Sequence, residues 1–188
     1  MPNVSVDLSA NSTGAVRQVA APAATTSFVA AAGTAYAYCL GRERDIVNSI
    51  RAFAYNHGVA AVGTGWAEIA VATGVFVPNS TSQTLTYRAY ADIDAEVKAG
   101  ATVTYNKLLT AQLPPTEDIW IVVASSHATT QASWRPITEG DPSGLPCVRV
   151  DATGATTRPS LNIGTARVFT ATIGTATTVP FMKYQVVS

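Results

Sequence analysis

The sequence predicts an all-β protein: a jelly-roll-like antiparallel sandwich with one α-helix and an extended N-terminal arm. Three observations predict it. From Gln83 to Val97 apolar and polar residues alternate, with Leu85, Tyr87, Ala89, Ala91, Ile93, Ala95 and Val97 on one side and Thr84, Thr86, Arg88, Tyr90, Asp92, Asp94 and Glu96 on the other. A period of two kept over about fifteen residues marks a long, half-buried antiparallel strand. Several further apolar runs are short and bounded by Gly, Pro, Asn and Ser, giving eight or nine strands with turns between them. The 188 residues suit a single domain with an appendage and can bury a sizeable core.

Residues 1–25 read as an arm and residues 26–188 as the sandwich domain. The arm is small and polar, then rich in Ala and Pro, and buries too little apolar area to offset its own ordering entropy. Two readings compete, a disordered tail or a segment ordered against a neighbouring subunit. The alternation of Val4, Val6 and Leu8 points to a short strand added to a sheet edge. Ser27–Leu40 reads as a strand with Phe28, Tyr36 and Tyr38 on one face. From Arg42 to His57, Ile46, Val47, Ile50, Phe53 and Ala54 follow 3–4 spacing, which predicts an amphipathic helix with Glu43 and Asp45 in its first turn and Gly58 just past its end.

Trp66–Val77 is apolar on both faces, as a central strand is, and Pro78-Asn79-Ser80 turns the chain into the long strand. Thr102–Leu109 is a further strand, and Pro114-Pro115 precedes the buried run Ile119–Ser125. Gln131–Ile137 is a weaker strand signal. Gly140–Pro146 is a loop, and Cys147–Val150, Ala166–Ile173 and Phe181–Val187 are closing strands.

Charged residues make up 13% and the formal net charge is zero, so a basic face for nucleic acid is not expected. A surface so poor in charge keeps a free monomer apart only weakly and suits one covered by copies of itself or a partner. Cys39 and Cys147 read as two buried thiols rather than a disulfide. The start of the chain shows no secretion signal, and no run reaches the roughly 18 apolar residues of a membrane span.

The residue types that do chemistry give no motif. His57 and His127 have no second histidine at metal-ligand spacing, so no metal is expected and structural or loop roles are read for both. Ser125 and Ser126 adjoin His127 without a nucleophile elbow. Asp92, Asp94 and Glu96 share one face of the long strand, which suits calcium, glycosidase acids or simply a charged, solvated face; the last is preferred. Glu68 sits in an apolar strand and calls for a buried ion pair, with Arg88 or Arg167 as partner. Trp66 and Trp120 read as core and Trp134 as the exposed tryptophan. No catalytic residue and no cofactor are expected. The residues best placed to touch a ligand or partner are Trp134, Tyr90, Asp92 and Asp94.

The expected helix Arg42–His57, the run Gly65-Trp66-Ala67-Glu68-Ile69-Ala70-Val71-Ala72-Thr73-Gly74 and the strand Asp118-Ile119-Trp120-Ile121-Val122-Val123 carry a resemblance. Over residues 27–187 the chain resembles the jelly-roll decoration, cement and minor structural proteins of tailed-phage heads. That resemblance implies a virion protein made in the host cytoplasm, oligomeric, with a trimer expected, that sits on the capsid and clamps the major capsid protein without catalysis. Two other classes stand beside it. One is a carbohydrate- or receptor-binding sandwich using Trp134, Tyr90, Asp92 and Asp94. The other is a sandwich enzyme acting through opposed acids drawn from Glu68, Asp92 and Asp94.

Overall fold

The computed structural model describes residues 16–18, 28–29, 32–55, 59–78, 80, 82–100, 104–134, 136–137, 147–150, 158–170, 179–180 and 182–187. In chain order the elements are β1 (Val16–Gln18), β2 (Phe28–Val29), β3 (Thr34–Cys39), β4 (Val47–Tyr55), β5 (Gly65–Gly74), β6 (Ser82–Asp92), α1 (Asp94–Ala99), β7 (Thr104–Leu113), β8 (Asp118–His127), β9 (Ser133–Trp134), β10 (Pro136–Ile137), β11 (Cys147–Val150), β12 (Ala166–Thr170), β13 (Val179–Pro180) and β14 (Met182–Val186). Val4, Val6, Leu8, His57 and the loop Gly140–Pro146 lie outside the described residues.

The architecture is an all-β antiparallel sandwich of two sheets. One has six strands in the order β11-β3-β8-β5-β6-β12, the other four in the order β1-β14-β4-β7. Two short ribbons, β2 with β9 and β10 with β13, complete the pairing. Between β3 and β8 the chain crosses from sheet to sheet four times, at β3–β4, β4–β5, β6–β7 and β7–β8. Such crossings are what a jelly-roll-like sandwich requires. β14 lies against β8, β4 against β5, and β7 against β5 and β6. The core between the sheets takes Ile50, Ala52, Ala54, Tyr105, Leu109, Met182 and Tyr184 from one side. It takes Tyr36, Tyr38, Ile69, Val71, Ile121 and Val123 from the other.

The six-stranded sheet has a second core on its far face: Ala35, Ala37, Cys39, Ala70, Ala72, Leu85, Tyr87, Trp120, Val122, Ala124 and Phe169. The sheet's two edge strands, β11 and β12, approach within 8 Å between Cα atoms, so the sheet curls and this face is concave. Five of the eleven side chains are alanines, and small residues let opposite walls of a curled sheet come together at native density. Larger groups fill the remainder. Trp120 donates its indole N–H to the Gly74 carbonyl at 2.9 Å, and Tyr87 meets Phe169 edge-on with ring centroids 6.0 Å apart. Cys39 is a free thiol in this core, and burial pushes its pKa up to about 12.

The region expected to form a helix over 42–57 is instead an irregular segment followed by strand β4. The cause is a β-bulge. The register between β4 and β7 shifts between Val47 and Ser49, so Val47 and Ile50 both point into the core although three residues apart. That spacing mimics one helical face. From Ile50 on, the period is two: Ile50, Ala52 and Ala54 are buried, while Arg51, Phe53 and Tyr55 look outward. Glu43, expected in a helical first turn, is a buried carboxylate that accepts the Tyr184 hydroxyl at 2.7 Å.

The long strand also differs from expectation. β6 ends at Asp92, and Asp94–Ala99 form the helix α1, with Asp94 and Glu96 in its first turn and Lys98 in its last. A second bulge, between Val71 and Ala72 on the β5–β6 ladder, flips the faces of β6. Leu85 and Tyr87 belong to the concave core, whereas Ala89 and Ala91 pack against the inter-sheet core. The alternation in the sequence is unbroken, yet the seven apolar residues do not share one face.

The concave core makes one direct prediction. Ala70 is fully buried there, and Ala70→Leu should lower stability by about 1–3 kcal/mol through overpacking. Urea unfolding measures it; an unchanged midpoint would mean the curled sheet has room to spare.

Candidate functional site

β5 presents Trp66, Glu68, Ala70 and Ala72 to the concave side. Past the bulge, β6 sets Tyr90 opposite Ala70 and Asp92 opposite Glu68. Residues directly opposite on antiparallel strands share a face, so the sequence candidates Tyr90 and Asp92 meet Trp66 and Glu68 at one end of the concave surface. This end is closed by residues 158–165. Arg158 is followed by a 3-10 turn at Pro159–Leu161, where proline suits the first helical position. The Asn162 amide N–H closes the turn on Pro159, and its side chain donates to the Arg158 carbonyl at 2.7 Å. Gly164, at φ 74°, then donates its N–H to the Tyr87 carbonyl at 2.9 Å.

Glu68 holds this turn. Its side chain is 1% exposed. One carboxylate oxygen accepts the Arg158 Nε–H at 2.6 Å and the Ser160 hydroxyl at 2.7 Å; the other accepts the Ser160 backbone N–H at 2.8 Å. The Arg158 guanidinium lies over the Trp66 ring, 5.3 Å from its centroid. Arg167 donates to the Asn162 side-chain oxygen. Burial raises the Tyr87 pKa, the Glu68 charge adds to that, and the Arg167 charge opposes it. A buried pair between Glu68 and an arginine was expected; the partner is Arg158 rather than Arg167 or Arg88. Arg88 instead bonds Thr73 at 2.7 Å and pairs with Glu117 at 3.1 Å.

A second polar cluster sits where α1 meets the end of β8. Asp94 binds His127 Nε2 at 2.7 Å with one oxygen and Lys98 Nζ at 2.6 Å with the other. Burial alone would raise the Asp94 pKa, but the hydrogen bonds from Lys98 and His127, and their charges, outweigh it and hold it below the ordinary value. His127 is not the loop residue expected. It ends β8 and its ring is sealed from solvent. Ser125 lies two residues back and is buried too, but its hydroxyl does not reach the ring, so the three side chains form no nucleophilic relay.

The sequence candidates thus separate. Tyr90 is 45% exposed. Asp92 is exposed and accepts the Asp94 backbone N–H at 2.7 Å. Asp94 and Glu96 have left the strand for α1, where Glu96 pairs with Lys107. Trp134 is a correction: it is 1% exposed and packs edge-on against Tyr105 in the inter-sheet core. Trp120 is core as expected. Trp66 is only half-buried, at the rim of the concave core, so it takes the place foreseen for Trp134. Arg158 and Ser160 were not singled out. They lie 90 and 92 residues from Glu68 in the chain, and no spacing rule reaches that far. The only available signal was the need of a buried carboxylate for a cation.

Chemically, this end of the molecule offers a stacked Trp66–Arg158 pair, the exposed Tyr90 ring and the Asp92 carboxylate. Glu68 is held by the turn beneath them. Among the described residues no group of three His, Cys, Asp or Glu side chains could hold a metal ion, and no helix is long and apolar enough to cross a membrane. Fold and site together define the chain as a curled antiparallel β-sandwich with a latched turn. No protein-family model, curated protein or solved structure matches it.

Two outcomes follow from these bonds. Arg158→Ala leaves Glu68 buried without a cation and should cost about 3 kcal/mol or more, whereas Glu68→Gln, which removes the charge along with its need for a partner, should cost less. Thermal or urea unfolding ranks the two, and the reverse order would remove the latch from the account. Asp94 has a folded pKa below its ordinary 3.8, so the unfolded chain takes up its proton first. Its contribution is therefore complete above about pH 4 and is lost as pH falls through the lower folded value. The stability gap between wild type and Asp94→Asn should narrow on acidification through that window, as urea midpoints against pH will register.

Proposed function

We propose that the chain is a structural virion protein of the decoration or cement type, which binds the major capsid protein and copies of itself through surface contacts. The observation that carries this reading is the exposed apolar surface. Val29, Ile46, Val75, Val77, Leu108, Leu161 and Val168 are each 50–62% exposed, on a chain in which only 13% of residues are charged. Scattered apolar residues are ordinary on a monomer, but with so little charge between them they favour burial against a partner. The polar groups of the Glu68 and Asp94 clusters hold the protein's own turn and helix. That supports a role in which the surface acts as a whole.

A stable contact of this kind buries more than about 1,000 Å² in total. Many weak contacts made together by an oligomer add up to firm attachment. A second reading, a glycan- or receptor-binding module, is supported by one finding: Trp66 with Arg158, Tyr90 and Asp92 share a face. Glycan-array binding that Tyr90→Ala abolishes would favour it over the first.

The main reading is tested by mass spectrometry of purified virus particles from the source. The chain should be present in fixed ratio to the major capsid protein, and its absence from clean particles would end the proposal. In rebinding to stripped particles, removal of residues 1–15, the part of the 1–25 arm that precedes β1, should leave the circular dichroism unchanged and weaken attachment; equal affinity for both forms would leave that part of the arm without a role.

A further inference from the structure

We propose that the free edge of β7 pairs with β7 of a second copy across a two-fold axis, with Leu108 facing Leu108. The inference goes beyond the virion reading and does not depend on it. Among the described residues four strands end the two main sheets: β1, β7, β11 and β12. β1, β11 and β12 have three to five residues, and β11 and β12 lie against each other. β7 has ten residues and, among the described residues, pairs only with β4. An edge this long offers a full row of backbone donors and acceptors, and native proteins blunt such edges with proline, bulges or charge. β7 contains no proline, and its bulge lies between Thr110 and Leu113, at the end of the strand and outside the stretch 106–110. Its only charged residue, Lys107, is paired with Glu96 of the same chain.

The side chains allow one particular pairing. Tyr105, Leu109 and Leu113 point into the core, while Asn106, Leu108, Thr110 and Gln112 point outward. Opposed residues must share a face, so the register of two identical antiparallel strands must set outward against outward. With Leu108 opposite Leu108 of the second copy, Asn106 falls opposite Thr110, and Lys107 opposite Leu109. The two leucines, each 52% exposed in the single chain, cover one another at the axis. An amide meets a hydroxyl on either side. No like charges face each other within the outward row.

The nearest outward cation is Arg51, which lies opposite Leu108 on β4. Its guanidinium donates to Asn106 at 3.0 Å, and in this register the two Asn106 residues lie four residues apart along the paired strands, about 14 Å. That exceeds the screening length of about 8 Å at physiological salt, so the two guanidiniums do not oppose the contact. An isologous pairing of this kind joins the two four-stranded sheets into one eight-stranded sheet.

Sedimentation of the full chain across the micromolar range tests this, together with Leu108→Lys and Leu108→Cys. The wild type should reach a dimer. Leu108→Lys should sediment as a monomer with the circular dichroism of the wild type, because the side chain it replaces is exposed in the single chain, and its melting temperature should not depend on concentration. Leu108→Cys should form a disulfide-linked dimer under mild oxidation, which wild type does not. If Leu108→Lys fails to fold, Thr110→Lys, also outward, takes its place. A wild-type monomer, a trimer, or a dimer untouched by the lysine variants would each overturn the proposal.

Discussion

The curvature of the six-stranded sheet is the constraint on which the rest depends. A flat sheet of this width would leave one face without a partner, since the four-stranded sheet can cover only the other. The chain resolves this with small side chains. Ala35 and Ala37 on β3, Ala70 and Ala72 on β5 and Ala124 on β8 are all buried on one face. They let that face close on itself until β11 and β12 approach. Trp120, Leu85, Tyr87 and Phe169 then fill the remaining volume. An alanine here contributes little apolar area by itself, but it sets how closely the backbone walls approach, and dispersion falls off steeply with any gap.

Curling creates the candidate site. At the end of the concave face Glu68 replaces the alanines, and a carboxylate there must be paired or the face cannot close. Arg158 and Ser160 meet that need by bringing a turn distant in sequence across the opening. Stability and surface chemistry are linked at this point. The same guanidinium that satisfies Glu68 lies on Trp66 and reaches solvent, its side chain 34% exposed. The Asp94 cluster does similar work at the other junction, tying α1 to the end of β8 through His127. In both places the ionisable groups hold the ends of the sandwich, and the exposed surface beyond them is mostly apolar or uncharged.

Strand identity was largely legible in the sequence, because period two and turn residues are local signals. The both-sided apolar run gave the central strand β5, and Ile119–Ser125 gave β8, both confirmed with small changes at their ends. What was not legible traces to the two bulges. One extra residue of β7, between Thr110 and Leu113, shifted the register so that Val47 and Ile50 share a face at helical spacing, and the small Ala52 and Ala54 hid the alternation that followed. The bulge opposite Val71 and Ala72 did the reverse, leaving a faultless alternation whose faces exchange midway. Bulges are fixed by pairing with a neighbouring strand, so a single strand's sequence does not announce them. The exposure of tryptophans failed for a related reason: whether Trp66 or Trp134 reaches solvent depends on where its strand lies in the sheet.

The width of the two sheets carries the argument to assembly. Six strands against four leave the flanks of the sandwich unequal. The wider sheet's own edges turn towards each other, whereas among the described residues the narrower sheet stops at β7 with an open row of peptide groups. Water satisfies those groups at little cost, so the open edge does not destabilise the single chain. It does mean that a partner strand adds hydrogen bonds and apolar cover without first displacing any protein contact among the described residues. The outward row Asn106, Leu108, Thr110 and Gln112 carries no charge to select against an identical strand. An uncharged outward row on an open edge therefore leaves backbone pairing with an identical strand unopposed by side-chain repulsion.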